Sequence, residues 1–357
     1  MSDVCSFEVV DGIGVITIDS PPVNALGIKA RQALVEGFNR FGSDNAVKAI
    51  VLICAGRTFF AGADITEFGK SPVEPVLGTV LGVIEQSRKP VIAAIHGTAF
   101  GGGYELALVC HYRIAVPSAK VGLPEVKLGL MPGSGGTQRL PRIVGIPAAL
   151  EIITSGEPVP AAKALELGMI DALAKEGGLR EDAISLAQAI LKEGKPLQLV
   201  RDRQDKVETY RRKKEVYDEF LKVNAKDFRC LHAPIKIIKA IQAAADLPFA
   251  EGLQRERELF LELRDGTQSA AQRYYFFAER QTARIPDVPV DTLTLPINTV
   301  GVIGAGTMGG GITMNFLNAG IPVTLVEMTQ EALDRGIGVI RRNYENSVKR
   351  GRLTSNQ

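Results

Sequence analysis

From residue 7 to residue 95, short apolar runs alternate with stretches whose apolar residues recur every three or four positions, and no other feature of the sequence narrows the fold as far. Residues 7–19 alternate apolar and polar side chains around Asp11-Gly12, a pair that favours a two-residue hairpin turn because glycine tolerates positive φ. Ala30, Leu34, Phe38 and Phe41 follow at helical spacing. The compact run 47–54 then reads as a buried strand, 76–87 as a helix and 91–95 as another strand. Repetition of this kind predicts an α/β core with largely parallel strands and right-handed crossovers. At 357 residues, 45% of them hydrophobic, the chain can bury such a core and divide into two or three domains.

Charge excludes more than it identifies. With 42 basic and 40 acidic residues, a formal charge of +2 gives no reason to expect nucleic acid or an anionic membrane as partner. Cys5, Cys54, Cys110 and Cys230 stand far apart without Cys-x-x-Cys spacing, the pattern of reduced thiols, mostly packed as small apolar groups, in a reducing compartment. His96, His111 and His232 lack ligand-like spacing, so no metal is implied. The first residues carry acids where a secretory signal carries bases, and no apolar run is long enough to span a bilayer. The last residues, LTSNQ, differ from a Ser-Lys-Leu peroxisomal address. The expectation from these features is a cytoplasmic, bacterial protein.

Residues 148–191 read as mainly helical, punctuated by Gly156, Gly168 and Gly177-Gly178. Residues 195–229 concentrate Lys and Arg, including Arg211-Arg212-Lys213-Lys214, among acids and Val207, Tyr210, Val216, Tyr217 and Phe220. Such mixed-sign charge predicts a long, solvated amphipathic helix in preference to a phosphate-binding patch. Helices continue through Ile235, Ile238 and Ile241, then through Leu259, Phe260 and Leu263. Three prolines within 285–296 mark a linker, and residues 298–303 form a strand that runs into a glycine-rich turn.

Three segments carry candidate chemistry: RTFFAGADI at 57–65, HGTAFGGGYELAL at 96–108 and VGLPEVKLGLMPGSGGTQRLPRIVG at 121–145. Each sets glycines beside a strand end or helix start, where backbone N–H groups can approach a ligand without a Cβ in the way. Singly, each has a plain explanation: glycines let elements pack closely, and Glu105 near a helix start complements the helix dipole.

Jointly, PPVNAL at 21–26, FFAGADI at 59–65, GGGYELAL at 101–108 and LPEVKLGLMPGSGGTQRLPR at 123–142 resemble the crotonase, or enoyl-CoA hydratase and isomerase, superfamily. EGLQRERELFLEL and YYFFAERQTAR at 274–284 resemble that family's closing helices. The resemblance implies a ClpP/crotonase-like α/β core with C-terminal helices and an acyl-CoA thioester as substrate. It also implies a thioester oxygen held between the backbone N–H groups of Ala63 and Gly102, donors that stabilise developing enolate charge. Glu105 is then the base on water, Glu125 the acid toward Cα, and the Gly133 carbonyl helps to orient the water. Ala61, Asp64 and Ile65 would contact substrate. Both glutamates favour hydration of a trans-2-enoyl-CoA in fatty acid β-oxidation, a reaction without a cofactor; 3-enoyl-CoA isomerisation, for which one glutamate suffices, is the alternative. Leu123 departs from the glutamine that many relatives carry before Pro-Glu. The resemblance leaves the oligomer open between monomer and trimer.

Beyond the linker, Gly304-x-Gly306-x-x-Gly309 follows an apolar strand and opens a helix, and a second strand, 323–326, ends at Glu327, where a dinucleotide fold expects a ribose-binding acid. The fusion resembles fatty-oxidation multifunctional enzymes, bacterial or peroxisomal type 1, in which a hydratase precedes a 3-hydroxyacyl-CoA dehydrogenase that uses NAD. No histidine follows His232, so the His–Glu pair of such dehydrogenases is missing. The expectation is a truncated Rossmann-like βαβ start, behaving as a short appendage in preference to an NAD site; a nucleotide-binding scaffold without turnover is the non-enzymatic alternative. The expected divisions are a crotonase core at 1–195, a helical extension with closing helices at 196–284, the linker at 285–296 and the incomplete dinucleotide-binding segment at 297–357.

Overall fold

Asp11 and Gly12 both adopt positive φ, 49° and 79°, and this two-residue turn pairs β1 (Cys5–Val10) with β2 (Ile13–Ile18) so that Val10 faces Ile13. A computed structural model of the chain describes residues 4–354 apart from 65, 66, 68, 69, 283, 284, 290 and 352. It divides into two units, residues 1–281 and 282–357.

In the first unit, α1 (Ile28–Ser43) leads to β3 (Ala49–Cys54), and α2 (Leu77–Glu85) to β4 (Val91–Ile95). Then come β5 (Thr98–Phe100), α3 (Gly102–Val109), β6 (Tyr112–Ala115), β7 (Lys120–Gly122), α4 (Gly136–Val144), α5 (Ile146–Ser155), β8 (Val159–Pro160), α6 (Ala161–Glu166) and β9 (Ala172–Leu173). The main sheet has the order β1-β2-β3-β4-β6-β9 and is parallel throughout after the opening hairpin. Every residue of β3 and β4 is buried, as their unbroken apolar sequences require of central strands. Each fully buried Ile or Leu there contributes about 1.5–3 kcal/mol relative to exposure. Gly14 on β2 makes room for α1, because a Cβ at that position would stand 2.6 Å from the Phe41 ring.

A second, three-stranded sheet, β5-β7-β8, is what positions the site. The strands β5 and β7 are parallel, with Phe100 opposite Gly122, so both release the chain on the same side.

The helical remainder of the unit comprises α7 (Leu179–Glu193), α8 (Lys214–Val223), α9 (Ala233–Asp246), α10 (Phe249–Arg264) and α11 (Thr267–Thr282). The helix α9 buries Ile237, Ile238, Ala240, Ile241 and Ala244 and packs against α4, α5 and α10. The single long helix expected over 195–229 is not formed. Two short 3-10 turns, Val200–Asp202 and Glu208–Tyr210, precede α8, and Arg212 takes φ 60° and donates its backbone N–H to Asp246. Val207 and Tyr217 are buried, so tertiary packing breaks the local helical pattern. All four cysteines are free thiols: Cys54 and Cys110 are buried, whereas Cys230 is exposed.

The second unit is β10 (Val300–Ile303), α12 (Thr307–Asn318), β11 (Val323–Val326) and α13 (Gln330–Lys349), with β10 and β11 parallel. It is the short start of a Rossmann-like fold. Among the described residues no helix is long and apolar enough to cross a membrane.

Candidate active site

Because β5 and β7 run parallel, the helical turns that follow them begin side by side. After β5, Gly101 takes φ 53°, its N–H donates to the Gly122 carbonyl at 2.9 Å, and α3 opens with Glu105 in its first turn. After β7, Leu123 leads into the 3-10 turn Pro124–Leu128, whose first turn holds Glu125. The two strand ends are close enough that a Cβ on Gly101 would lie 3.0 Å from Glu125 Oε1. Glu105 and Glu125 thus line one cavity of about 160 Å³ with Ala61, Gly62, Ala63, Gly102 and Gly133.

The two carboxyl groups have different surroundings. Glu105 is 3% exposed, and its Oε1 accepts hydrogen bonds from the backbone N–H groups of Ser134 at 2.7 Å and Gly136 at 2.9 Å. Burial pushes its pKa up, while these two donors and the Arg139 guanidinium pull it back. Glu125 Oε2 is buried without a hydrogen-bond partner among the described residues. Burial first, and then the charge on Glu105, hold Glu125 well above the ordinary carboxylate range. The arrangement favours one ionised and one protonated carboxyl group, with the proton on Glu125.

Next to them stand two backbone donors. Gly102 is the first residue of α3, where an N–H has no partner within the helix, and a Cβ on Gly102 would be 3.4 Å from the Ala63 nitrogen. Ala63 is fixed by a parallel bridge to Leu26 and by the Leu26 N–H donating to the Gly62 carbonyl at 2.9 Å. Asn24, buried in PPVNAL, anchors the same loops: its Nδ2 donates to the carbonyls of Ala55 and Thr58, both at 2.8 Å.

Ala63, Leu77, Arg257 and Phe260 also line a wider cleft of about 730 Å³ with Asp64, Glu67, Lys70, Arg264 and Arg273. Arg31 closes part of its wall by donating to the carbonyls of Leu26, Val73 and Pro75 and pairing with Glu67 at 2.7 Å. Of the three expected substrate contacts, Ala61 lines the inner cavity and Asp64 the cleft; Ile65 lies outside the described residues. A larger groove of about 980 Å³ between α5 and α8 contains neither Glu105 nor Glu125.

Sequence reasoning missed the contribution of α10. Arg257 and Phe260 border the inner cavity, and a Cβ on Gly133 would stand 2.6 Å from the Phe260 ring. Glu256, one residue before Arg257, is 1% exposed and reaches the loop that carries Gly133. The only signal was an acid–aromatic pair four residues apart in RERELF, which marks one helix face and names no partner.

In the second unit, Gly304 takes φ 96°, and a Cβ on Gly309 would collide with the backbone of Gly304, so these glycines permit the tight turn and the close seat of α12. Side-chain space is open at Gly304 and Gly306. Glu327 is engaged with backbone, accepting from Ala305 N–H at 2.6 Å and Met328 N–H at 3.0 Å, which lowers its pKa. These residues fit the phosphate-turn part of a dinucleotide site, and with two strands they supply only its opening.

Residues 8–228 match the family model for enoyl-CoA hydratase/isomerase, and residues 299–357 that for the 3-hydroxyacyl-CoA dehydrogenase NAD binding domain. A peroxisomal bifunctional enzyme of Danio rerio is 40% identical over 342 residues, covering 95% of this chain and 47% of the relative. A peroxisomal fatty acid beta-oxidation multifunctional protein of Arabidopsis thaliana is 36% identical, covering 97% of this chain and 49% of the relative. The crystal structure of an enoyl-CoA hydratase from Bacillus anthracis superposes with a TM-score of 0.51 at 27% identity, covering 80% of this chain and 98% of that one. The chain spans about half the length of the curated relatives it matches. The relatives' names overturn the expected bacterial cytoplasm, since they are called peroxisomal or glyoxysomal. The error lay in giving weight to the difference between LTSNQ and a Ser-Lys-Leu address: in a chain that covers about half of its relatives, that difference carries no information. With a family match over residues 8–228, which covers most of its first unit, the chain belongs to the enoyl-CoA hydratase/isomerase family.

Proposed function

We propose that this chain hydrates trans-2-enoyl-CoA thioesters to 3-hydroxyacyl-CoA, as a step of fatty acid β-oxidation. The observation that carries this reading is the pairing, in one small cavity, of two carboxyl groups that hold their protons unequally, Glu125 the more strongly, and two adjacent backbone N–H groups. Glu105, with two N–H donors on one oxygen, is the more readily ionised of the two and has its second oxygen available to take a proton from water as the water oxygen bonds to Cβ. The electron pair of the Cα–Cβ double bond moves toward the thioester, whose oxygen gains charge between the N–H groups of Ala63 and Gly102. Glu125 then gives its proton to Cα, and the Gly133 carbonyl orients the water. The guanidinium groups of Arg257, Arg264 and Arg273 along the wider cleft suit the phosphates of coenzyme A. The name of the Arabidopsis thaliana relative supports the placement in β-oxidation.

The test is the loss of enone absorbance when crotonyl-CoA is supplied. Glu105→Gln and Glu125→Gln are each expected to lower kcat by roughly two to four orders of magnitude while KM changes by no more than a few-fold. Hydration near the wild-type rate in either variant would show that the two-carboxylate mechanism is wrong.

A further inference from the structure

Four consecutive backbone N–H groups, from Ser134 to Thr137, are taken alternately by two carboxyl groups from distant parts of the chain. Glu105 Oε1 accepts those of Ser134 and Gly136, as described above. Glu256, on α10, accepts the other two: Gly135 N–H donates to its Oε1 at 2.6 Å and Thr137 N–H to its Oε2 at 3.0 Å. The Thr137 hydroxyl also donates to Oε2, at 2.5 Å. The residue before α4 is Gly135, which has no side chain with which to cap the helix. A helix start normally leaves its first N–H groups to a local Ser, Thr, Asp or Asn, or to water. Here the two carboxyl groups perform that role from opposite sides, and α10 also presses Phe260 against Gly133.

We infer that Glu256 is a positioning residue of the hydration reaction: it fixes the 131–137 loop through the Gly135 and Thr137 N–H groups and thereby fixes Glu105 and the Gly133 carbonyl relative to each other. This inference rests on the hydratase reading above and extends it to a third carboxyl group. The four N–H groups have two holders, and Glu105 is one of them; if the other were lost, Glu105 and the Arg139 bond to the Ser134 carbonyl would hold a backbone freer to shift. Active-site groups need placement within a fraction of an ångström, so this shift appears in turnover more than in binding.

Glu256 also bears on the charge of the site once pH rises toward its own pKa. The charged groups around this cluster include Glu105 from α3, Glu125 from the 124–128 turn, Arg139 from α4, and Glu256 and the cavity-lining Arg257 from α10. Burial, then the charge on Glu105, pushes Glu256 up to about 8, while Gly135 and Thr137 oppose the shift; its charge in turn holds Glu125 up. With glutamine at 256, Glu125 loses its proton at lower pH, and the alkaline limb of the hydration profile moves down. Loss of packing alone leaves that limb where it is.

The experiment compares wild type, Glu256→Gln, Thr137→Val and Thr137→Ser in crotonyl-CoA hydration from pH 5 to 10, with amide hydrogen exchange of the peptide spanning 131–137. For Glu256→Gln the expected result is a kcat roughly tenfold to a hundredfold lower, from leaving buried donors without an acceptor, with KM within about threefold. The alkaline limb should lie at lower pH, and exchange should be faster in that peptide. Removing the hydroxyl donor in Thr137→Val favours the protonated form of Glu256, so the limb should move in the same direction but less far; Thr137→Ser keeps the hydroxyl and should match wild type. Unchanged kcat and limb in a folded Glu256→Gln, or unchanged exchange at 131–137, overturns the inference. If Glu256→Gln does not fold, identical profiles for Thr137→Val and Thr137→Ser overturn it. A wild-type protein that does not hydrate crotonyl-CoA instead refutes the hydratase reading, and the exchange comparison then still decides whether Glu256 holds the loop.

Discussion

Gly102 and Gly103 are neighbours at the start of α3, and the structure assigns them opposite sensitivities. A Cβ on Gly102 would meet only the tip of the Leu77 side chain at 2.8 Å, the Ala63 nitrogen at 3.4 Å and the Leu26 tip at 3.7 Å. Side-chain tips can turn aside, and alanine is favoured over glycine in a helix by up to about 1 kcal/mol, so Gly102→Ala should fold with a melting temperature near wild type. Its methyl group, however, stands beside the two N–H donors where a thioester oxygen must come within about 2.7–3.1 Å. Obstructing one such donor costs roughly 10²- to 10³-fold in kcat, about 2.7–4 kcal/mol. On Gly103 the same methyl would lie 2.6 Å from the Phe60 Cβ and closer still to the Phe60 carbonyl oxygen, which is backbone and cannot turn away. The cost is then paid in folding, about 3 kcal/mol, or roughly 6–12 °C in melting temperature. The assay is crotonyl-CoA hydration together with a thermal melt of each variant. Full activity in Gly102→Ala, or a Gly103→Ala protein as stable as wild type, would refute the reasoning.

Further outcomes follow from the electrostatics and from the second unit. Glu125 and Glu256 titrate above their unfolded values, so the stability they confer is fully present below about pH 4.5 and is lost as pH rises through their folded values, about 8 for Glu256. Glu125→Gln removes a raised group whose Oε2 has no hydrogen-bond partner among the described residues, so its melting temperature should exceed that of wild type by a margin that grows from pH 5 to pH 8; a constant or shrinking margin argues against the shift. Supplied with NAD and 3-hydroxybutyryl-CoA, this polypeptide should give no rise at the NADH band, because no histidine follows His232 to take the alcohol proton and the described residues supply two strands of the dinucleotide sheet. A clear rise from purified protein would overturn that expectation, and titration with NAD alone would then test the segment from Gly304 to Glu327.

What could be read from the sequence was whatever lay within one continuous stretch. The hairpin at Asp11-Gly12, the buried runs of β3 and β4, and the strand 323–326 all follow from local period and turn chemistry. Glu105, Glu125, Ala63 and Gly102 were nominated by the joint family resemblance of three glycine-marked segments, one of which holds both Gly102 and Glu105. The two-residue strands β8 and β9 are too short to have a period. The helix expected over 195–229 failed because its charges outline a surface while Val207 and Tyr217 answer to contacts elsewhere in the fold. Glu256 was out of reach for the opposite reason: it forms its hydrogen bonds 119 and 121 positions away, in a stretch that reads as an ordinary charged helix.

The two N–H groups at Ala63 and Gly102 belong to the main chain, whereas the two proposed proton carriers, Glu105 and Glu125, are side chains. Mutation therefore acts on them unequally. A codon change at 105 or 125 can replace a proton carrier outright, but none can delete a peptide N–H, short of proline; it can only obstruct one, as at Gly102. If the proposed oxyanion hole holds, a gene of this kind can drift through variants with altered proton transfer while the main-chain donors for a thioester enolate persist, so new chemistry can be tried one side chain at a time.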